Sequence, residues 1–492
     1  MSKESNSYKI ALKSTSIFGG VQLFKIIIQI IKTKLIAILL GPTGLGLISL
    51  FTSSSSLISK LTNIGLDTSA VKEISESNSL NDAEYLGKKI TIVKRIALVT
   101  GILGGIILLV LSPKMSVWTF GTTKYTISFM WLSLSLLLNQ VTIGNNSIIQ
   151  GTRKIKLLAK SNLIGSVFSL IVSVPAYYFF RNDAIIFVFV ITSFLTTCLS
   201  FYYLKKINYP RVNIPIQQVV FQSKSLVKLG VIIALNGLIA SLGAYLLQIY
   251  ITEVGGAAQV GLFSAGFVII NTYVGLIFTA MGTDYFPRLT LVSNDNFKIK
   301  KVINEQSEIA IIILGPIIIG FIVCLKWIIT ILYSSKFLEV EDMLYWAALG
   351  MYFKAMAWAI AYVFLAKGDR KIYIYSETLV NVYTLAINIF GYHYFGLKGL
   401  GISFLIINLF FFTQVYIIAL KKYSFSYGKQ ILKLISIQLV LGALCFILTK
   451  EVNTMISFFF TLIVFFSSIL YSFKELDKRI NLKELINRFR KK

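Results

Sequence analysis

Lysine inside apolar runs is the residue pattern in this 492-residue chain with the plainest chemical consequence. Lys25, Lys32 and Lys34 lie within the run 16–40, which is long and apolar enough to cross a bilayer. On a helix, Gln22, Lys25, Gln29 and Lys32 follow i, i+3, i+7 and i+10, so amides and ammonium groups form one stripe while Ile26, Ile27, Ile30 and Ile31 cover the remainder. A lysine at bilayer depth costs about 2.5–3.5 kcal/mol on insertion scales, so by default it reads as functional, facing a bundle interior, a watery cavity or a partner. The chemistry on offer is neutralisation of an anion away from bulk water. Lys25 is the first candidate, whereas Lys32 and Lys34 can also snorkel to the interface. Lys354 is the second, halfway along the run 342–366, with Trp358 and Tyr362 at i+4 and i+8 and Met351 three residues before it. An ammonium beside aromatic rings suits an anion next to a sugar. Asn139, Gln140, Asn145 and Asn146 add amides in the run 125–147, and Asn271, Asn381, Asn388, Asn408 and Gln414 add more downstream. Such groups hydrogen-bond a polar cargo or hold helices together. Thr52, Ser56, Ser59 and Asn63 form a second stripe on 45–64, which could meet that of the first run.

The elements that must position these residues are membrane spans. The chain is 56% hydrophobic and 14% charged, with mean hydropathy +0.76, and no stretch is long enough for a soluble domain with its own core. Hydropathy predicts an all-α polytopic protein of about fourteen spans, the last two near 430–449 and 452–472. With the N-terminus placed in the cytoplasm, 36 of the 48 Lys and Arg fall on the cytoplasmic side and six on the other, so both termini are expected to be cytoplasmic. The net charge of +27 is then topology and attraction to anionic lipid, and needs no nucleic acid. Of the six cations left within spans, Lys60 and Lys326 lie near span ends, where snorkelling is expected. The tail 474–492 sets Leu482, Leu485, Ile486 and Phe489 on one helical face, as for a helix lying on the inner leaflet.

The chain also repeats itself. Gly41, Gly46 and Leu47 recur 215 positions on as Gly256, Gly261 and Leu262, and Gly151, Arg153 and Lys154 recur 217 on as Gly368, Arg370 and Lys371. A period near 216 holds six spans, which predicts two pseudo-symmetric six-helix lobes, 1–213 and 214–425, followed by two extra helices in 426–472 and a basic amphipathic tail in 473–492. Soluble-enzyme chemistry is missing: no Walker motif, HExxH or metal cluster occurs, His393 is single, and Cys198, Cys324 and Cys445 all sit in apolar runs. The expectation is a protein that is not an enzyme and holds no metal.

The residues 33–37 (TKLIA), 40–47 (LGPTGLGL), 63–67 (NIGLD) and 70–74 (AVKEI) resemble the amino-terminal signature of the Wzx-type O-antigen and polysaccharide flippases, in the polysaccharide-transporter branch of the MATE-like MOP superfamily. The resemblance implies a bacterial inner-membrane protein that moves an undecaprenyl-diphosphate-linked oligosaccharide from the cytoplasmic to the outer face, in lipopolysaccharide or related polysaccharide biosynthesis. It implies alternating access around a cationic central cavity, no cofactor, and an H+ or Na+ gradient as the driving force in at least some members. Lys25, Lys354 and Lys32 would then meet the diphosphate, Gln22, Gln29, Asn139 and Asn146 the sugar hydroxyls, and Trp358 a sugar ring. Gly41, Pro42, Gly44 and Gly46 would serve as hinge or packing residues. Each chain holds both lobes and so is expected to work as a monomer, alongside polysaccharide polymerase machinery. The alternatives are a lipid II-type flippase, a multidrug antiporter, which would need intramembrane carboxylates, and a membrane polymerase or transferase.

Overall fold

A computed structural model describes residues 3–80, 82–210, 224–451 and 455–480, together with 212, 214, 215 and 217. Side chains are described from Ile27 onward within these ranges, apart from 224–229, 231–233, 236, 273, 283, 451, 455, 456 and 480. The expected inner-leaflet face of the tail lies outside the described residues.

Every regular element among the described residues is helical. The first unit, Met1–Gly261, holds α1 (Lys3–Asn63), α2 (Leu66–Ser79), α3 (Ala83–Phe120), α4 (Thr126–Gly151), α5 (Ile155–Phe180), α6 (Ala184–Lys205) and most of α7 (Lys224–Val268). The second, Leu262–Lys492, holds the end of α7, a π-helical turn Ile269–Val274, α8 (Leu276–Leu291), α9 (Asn296–Val323), α10 (Leu325–Leu332), α11 (Glu341–Ala366), α12 (Arg370–Tyr423), α13 (Lys429–Glu451) and α14 (Met455–Ile480). Ten segments among the described residues are long and apolar enough to cross a membrane. Large apolar side chains on their outsides, such as Val110 and Phe179, are exposed, which suits hydrocarbon rather than water.

Five of those segments exceed 35 residues and four of the five carry an internal break, whereas about 20 helical residues span the hydrocarbon. Between the runs 16–40 and 45–64 the helix has a one-residue break: Gly41 takes φ 67°, ψ −168°, and Pro42 restarts the helix where its missing N–H is not needed. That backbone is open only to glycine. Gly256 repeats it with φ 78°, ψ 173°, 215 positions on. Arg181 (φ 51°, ψ −133°), at the turn between α5 and α6, and Gly396 (φ 56°, ψ −140°), within α12, form a second pair at the same offset. Arg153 (φ 58°) and Gly368 (φ 70°) form a third, each closing a helix with a matching bond, Lys154 N–H to Ile149 O at 3.1 Å and Asp369 N–H to Phe364 O at 2.9 Å. The repeat is therefore written in the backbone at an offset of 215, and the identity match of Gly151, Arg153 and Lys154 at 217 is out of register with it by two residues. Arg181 occupies a strained conformation for a side-chain-bearing residue, and its guanidinium donates to Leu39 O (2.8 Å), a carbonyl released by the Gly41 break.

In the first unit, Ile36, Phe51, Leu108, Phe129, Tyr177 and Tyr245 share one core, which fixes the second half of α1 among α3, α4, α5 and α7. In the second unit, α9 is central, packing on α8, α11, α13 and α14. The flanking helices are one-sided: 61% of the apolar window of Asn296–Val323 is buried, against 28% and 22% for Lys429–Lys450 and Ser457–Arg479. Gln438 joins that flank together, donating to Ser472 Oγ (2.8 Å) and accepting from Ser468 Oγ (2.7 Å).

Two expectations change. Lys60 and Lys326 do not simply snorkel; Lys60 pairs with Asp67 at 3.2 Å and Lys326 approaches Glu341 at 3.8 Å. Among the described residues the Thr52–Asn63 stripe bonds elsewhere than to that of the first run: Thr52 bonds its own Ile48 O (2.7 Å) and Ser59 accepts from Gln140 of α4 (2.9 Å). Serine and threonine close onto the preceding turn when no better acceptor lies across the interface.

Asp369, between α11 and α12, accepts from the Tyr423 hydroxyl and from Lys422 Nζ (3.0 Å), clamping the two ends of α12. The Tyr423 hydroxyl, then Lys422, hold its carboxyl below the usual carboxylate range. A depressed folded-state pKa contributes stability above the unfolded value of about 4, and that stability is lost as pH falls through the folded value. Thermal midpoints of the purified protein at pH 3 to 7 are expected to fall at the acid end in the wild type, and to fall less steeply in Asp369→Asn. Identical pH profiles would remove Asp369 from this role.

Candidate functional site: two lysines held by neutral oxygens

In the first unit a cavity of about 230 Å³ opens between α1, α4, α5 and α6. It has room for about seven waters at the liquid volume of each. Gln29 and Lys32 line it from α1, Thr142 and Asn146 from α4, Ser161, Asn162, Ser166 and Ser169 from α5, and Thr196 from α6. The α5 residues stand at i, i+1, i+5 and i+8, one face of a helix, with Gly165 thinning the wall towards Thr196. Lys32 Nζ donates to Ser169 Oγ at 2.6 Å. Asn146 Oδ1 is buried without a hydrogen-bond partner among the described residues. No carboxylate among the described residues lines the cavity, and the ammonium is met there by a neutral oxygen.

Three of the residues singled out in the sequence therefore come together here: Gln29, Lys32 and Asn146. Asn139 sits on the same face of α4, seven residues before Asn146, and is exposed. Gln22 and Lys25 continue the α1 stripe, but their side chains lie outside the described residues. The hydroxyls of α5 were missed. Their signal was legible as a helical stripe of small polar residues, which looks like ordinary helix packing until a lysine faces it.

In the second unit, Lys354 of α11 donates to Asn271 Oδ1 at 2.5 Å, with its Nζ 5.5 Å from the Phe404 ring centre. Asn271 lies in the π-helical turn, a feature that shifts side-chain register and recurs at functional sites. The face predicted for α11 is present. Trp358 lies one turn from Lys354, 5.2 Å from Tyr362 and 5.4 Å from both Phe278 and Tyr285 of α8. Tyr285 is anchored by a bond from its hydroxyl to Ala359 O (2.5 Å). Trp358 is thus half-buried among these rings. Here too the cation meets a neutral oxygen, and no ion pair engages Lys354 among the described residues.

The helical architecture and its apolar segments define a class, a multi-pass membrane protein on the fold of the MOP-superfamily transporters. An inward-facing multidrug resistance MATE family transporter of that superfamily matches at TM-score 0.68 and 15% identity, over 81% of this chain and 94% of that one. The lipid II flippase MurJ, in an inward closed conformation, matches at TM-score 0.68 and 14% identity, over 94% of this chain and 99% of that one. A MOP superfamily transporter from Pyrococcus furiosus, described for the reverse polarity of its binding pocket, matches at 0.57 and 13% identity, over 84% and 96%. A comparison with curated protein sequences gives no match. Within that class, the chain belongs to the polysaccharide biosynthesis protein family, whose model matches residues 35–342. The resemblance read from residues 33–74 is thereby met at the level of family.

Proposed function

We propose that the protein translocates a polyprenyl-diphosphate-linked oligosaccharide from the cytoplasmic to the outer face of a bacterial inner membrane by alternating access. The observation that carries this reading is the pairing of two interior lysines with neutral oxygens, Lys32 with Ser169 and Lys354 with Asn271. A lysine neutralised by a carboxylate has little to give an anion. A lysine held by a hydroxyl or amide keeps its charge for a diphosphate while the same oxygens and amides bond sugar hydroxyls. Lys25, Gln22, Gln29, Asn139, Asn146 and Trp358 complete the proposed set. The internal breaks and the 215-residue backbone repeat support fourteen spans, two six-helix lobes and two extra helices, with both termini cytoplasmic. On this reading the protein needs no cofactor beyond an ion gradient, works as a monomer with polymerase machinery as its neighbour, and is not an enzyme. Family membership favours polysaccharide cargo over the multidrug alternative, and the carboxylate-free cavity fits a cationic drug poorly. Lipid II-type cargo would use the same diphosphate chemistry.

The test is the membrane face on which lipid-linked saccharide accumulates in cells lacking this chain. Units trapped on the cytoplasmic face and released by the wild-type chain are expected. Units that reach the outer face unpolymerised would sink the flippase reading and favour a polymerase or transferase.

A further inference from the structure

Glu377 is, among the described residues, the one carboxylate that is neither exposed nor engaged by a hydrogen bond or ion pair at its side chain. It lies within an apolar segment, two turns into α12 and about 10 Å along the axis from its first residue. Tyr373, Glu377, Asn381, Thr384 and Asn388 follow i, i+4, i+8, i+11 and i+15, and all five are half-buried, so a continuous polar stripe climbs the first half of α12 from the carboxylate upward. Beside this stripe, Tyr383 Oη, within electrostatic reach of Glu377, is buried with no hydrogen-bond partner among the described residues.

Among the described residues, no ion pair brings a cation to this carboxylate. On its own helix the neighbouring titratable and charged groups are Tyr373 and Tyr383, with Arg370 and Lys371 exposed in the first turn, and α11 brings Tyr362 up to Tyr373. Lys354 of α11 is engaged by Asn271, and Lys422, in the returning half of α12, by Asp369. That half contributes the neutral Gln414, whose amide donates to Ser376 Oγ at 2.7 Å. The short helix Ser335–Val340, which also touches α12, offers Lys336 and Glu339, both exposed to the surroundings. An intramembrane carboxylate left in this state is a functional residue by default.

We propose that Glu377 binds and releases a proton, and that this cycle couples an ion gradient to the substrate movement assigned above. Binding forms one O–H bond and removes one negative charge from the apolar segment; release restores the charge and returns the proton to the other aqueous side. One carboxylate among phenols and amides suits a proton better than a metal ion, since no group of three His, Cys, Asp or Glu able to hold a metal occurs among the described residues. The coupling clause rests on the flippase reading, but proton binding itself does not.

The experiment uses the full chain in liposomes of phosphatidylethanolamine and phosphatidylglycerol on a solid-supported membrane, with protons alone as the probe. A pH jump is expected to evoke a transient charge displacement in the wild type that is lost in Glu377→Gln. Glu377→Asp, which keeps the carboxylate, is expected to retain it with a shifted pH dependence, provided that size-exclusion profiles show all three proteins equally monodisperse. A transient of wild-type size in Glu377→Gln, or none in the wild type, overturns the assignment. So does a transient evoked by a sodium jump at constant pH and not by protons. Because no saccharide is present, a failed flippase reading leaves this outcome untouched.

Discussion

Lys354→Ala is expected to lower export by about ten- to a hundred-fold while leaving the amount of protein in the membrane unchanged. Hydrogen bonds to charged groups contribute about 1.5–3 kcal/mol, and each 1.4 kcal/mol is a factor of ten. The argument is local. Lys354 Nζ is bonded to Asn271 Oδ1 and lies over Phe404, so its ammonium is aimed by two neutral groups whose positions the π-helical turn and α12 set. Truncation removes the charge and leaves Asn271 Oδ1 without its donor, so the control must keep the volume. Lys354→Met is expected to match Lys354→Ala, whereas Lys354→Arg, which restores a cation with different reach, should recover part of the rate. Lys25→Ala should behave like Lys354→Ala from its place on the α1 stripe. Lys450→Ala should not reduce export, because Lys450 is paired with Asp342 at 3.0 Å and its charge is already met. Export of surface polysaccharide in cells lacking the native chain, alongside membrane levels of each variant, measures all of these. Wild-type export by Lys354→Met would discard the diphosphate contact.

The same comparison shows what the sequence could and could not carry. Lys354, Trp358 and Tyr362 were legible because one helix supplies all three and its 3.6-residue period fixes their face. Gln29, Lys32 and Asn146 were legible separately, but nothing in spacing says that α1 meets α4 and α5, or that Ser169 of α5 receives the lysine. Pairing between helices is set by which apolar faces exclude one another from lipid, and hydropathy has no term for it. The carboxylate partners of Lys60 and Lys326 were hidden for the same reason, since Asp67 and Glu341 each come from the next α-helix. The internal repeat was legible in glycines but understated. Arg181 breaks the identity match with Gly396 while keeping its backbone conformation, because the bond to Leu39 O offsets the strain that glycine avoids.

Gly46→Ala is expected to destabilise the protein by at least the ~1–3 kcal/mol typical of overpacking, lowering its thermal midpoint in detergent. A methyl group there would lie 1.7 Å from Ala257 O and 3.0 Å from Gly261 N. The contact is reciprocal. A methyl on Gly261 would lie 1.9 Å from Pro42 O and 2.8 Å from Gly46 N. The two residues matched by the repeat thus press backbone against backbone, the approach that small residues permit between membrane helices. No rotamer can relieve a clash with main-chain atoms, so the helices themselves would have to part. Gly41→Ala separates this cause from another, because nothing lies within 4 Å of its added carbon and the cost there is backbone strain alone, about 1–3 kcal/mol. Gly44 is different again: its methyl would meet Leu40 Cβ at 2.2 Å and Asn182 Oδ1 at 2.7 Å, so this glycine admits the turn between α5 and α6. Because Gly46 and Gly261 share one contact, the double variant Gly46→Ala with Gly261→Ala should cost less than the two single effects added together. Full additivity, or a Gly46→Ala protein that melts like the wild type, would mean that the crossing is not the tight contact drawn here.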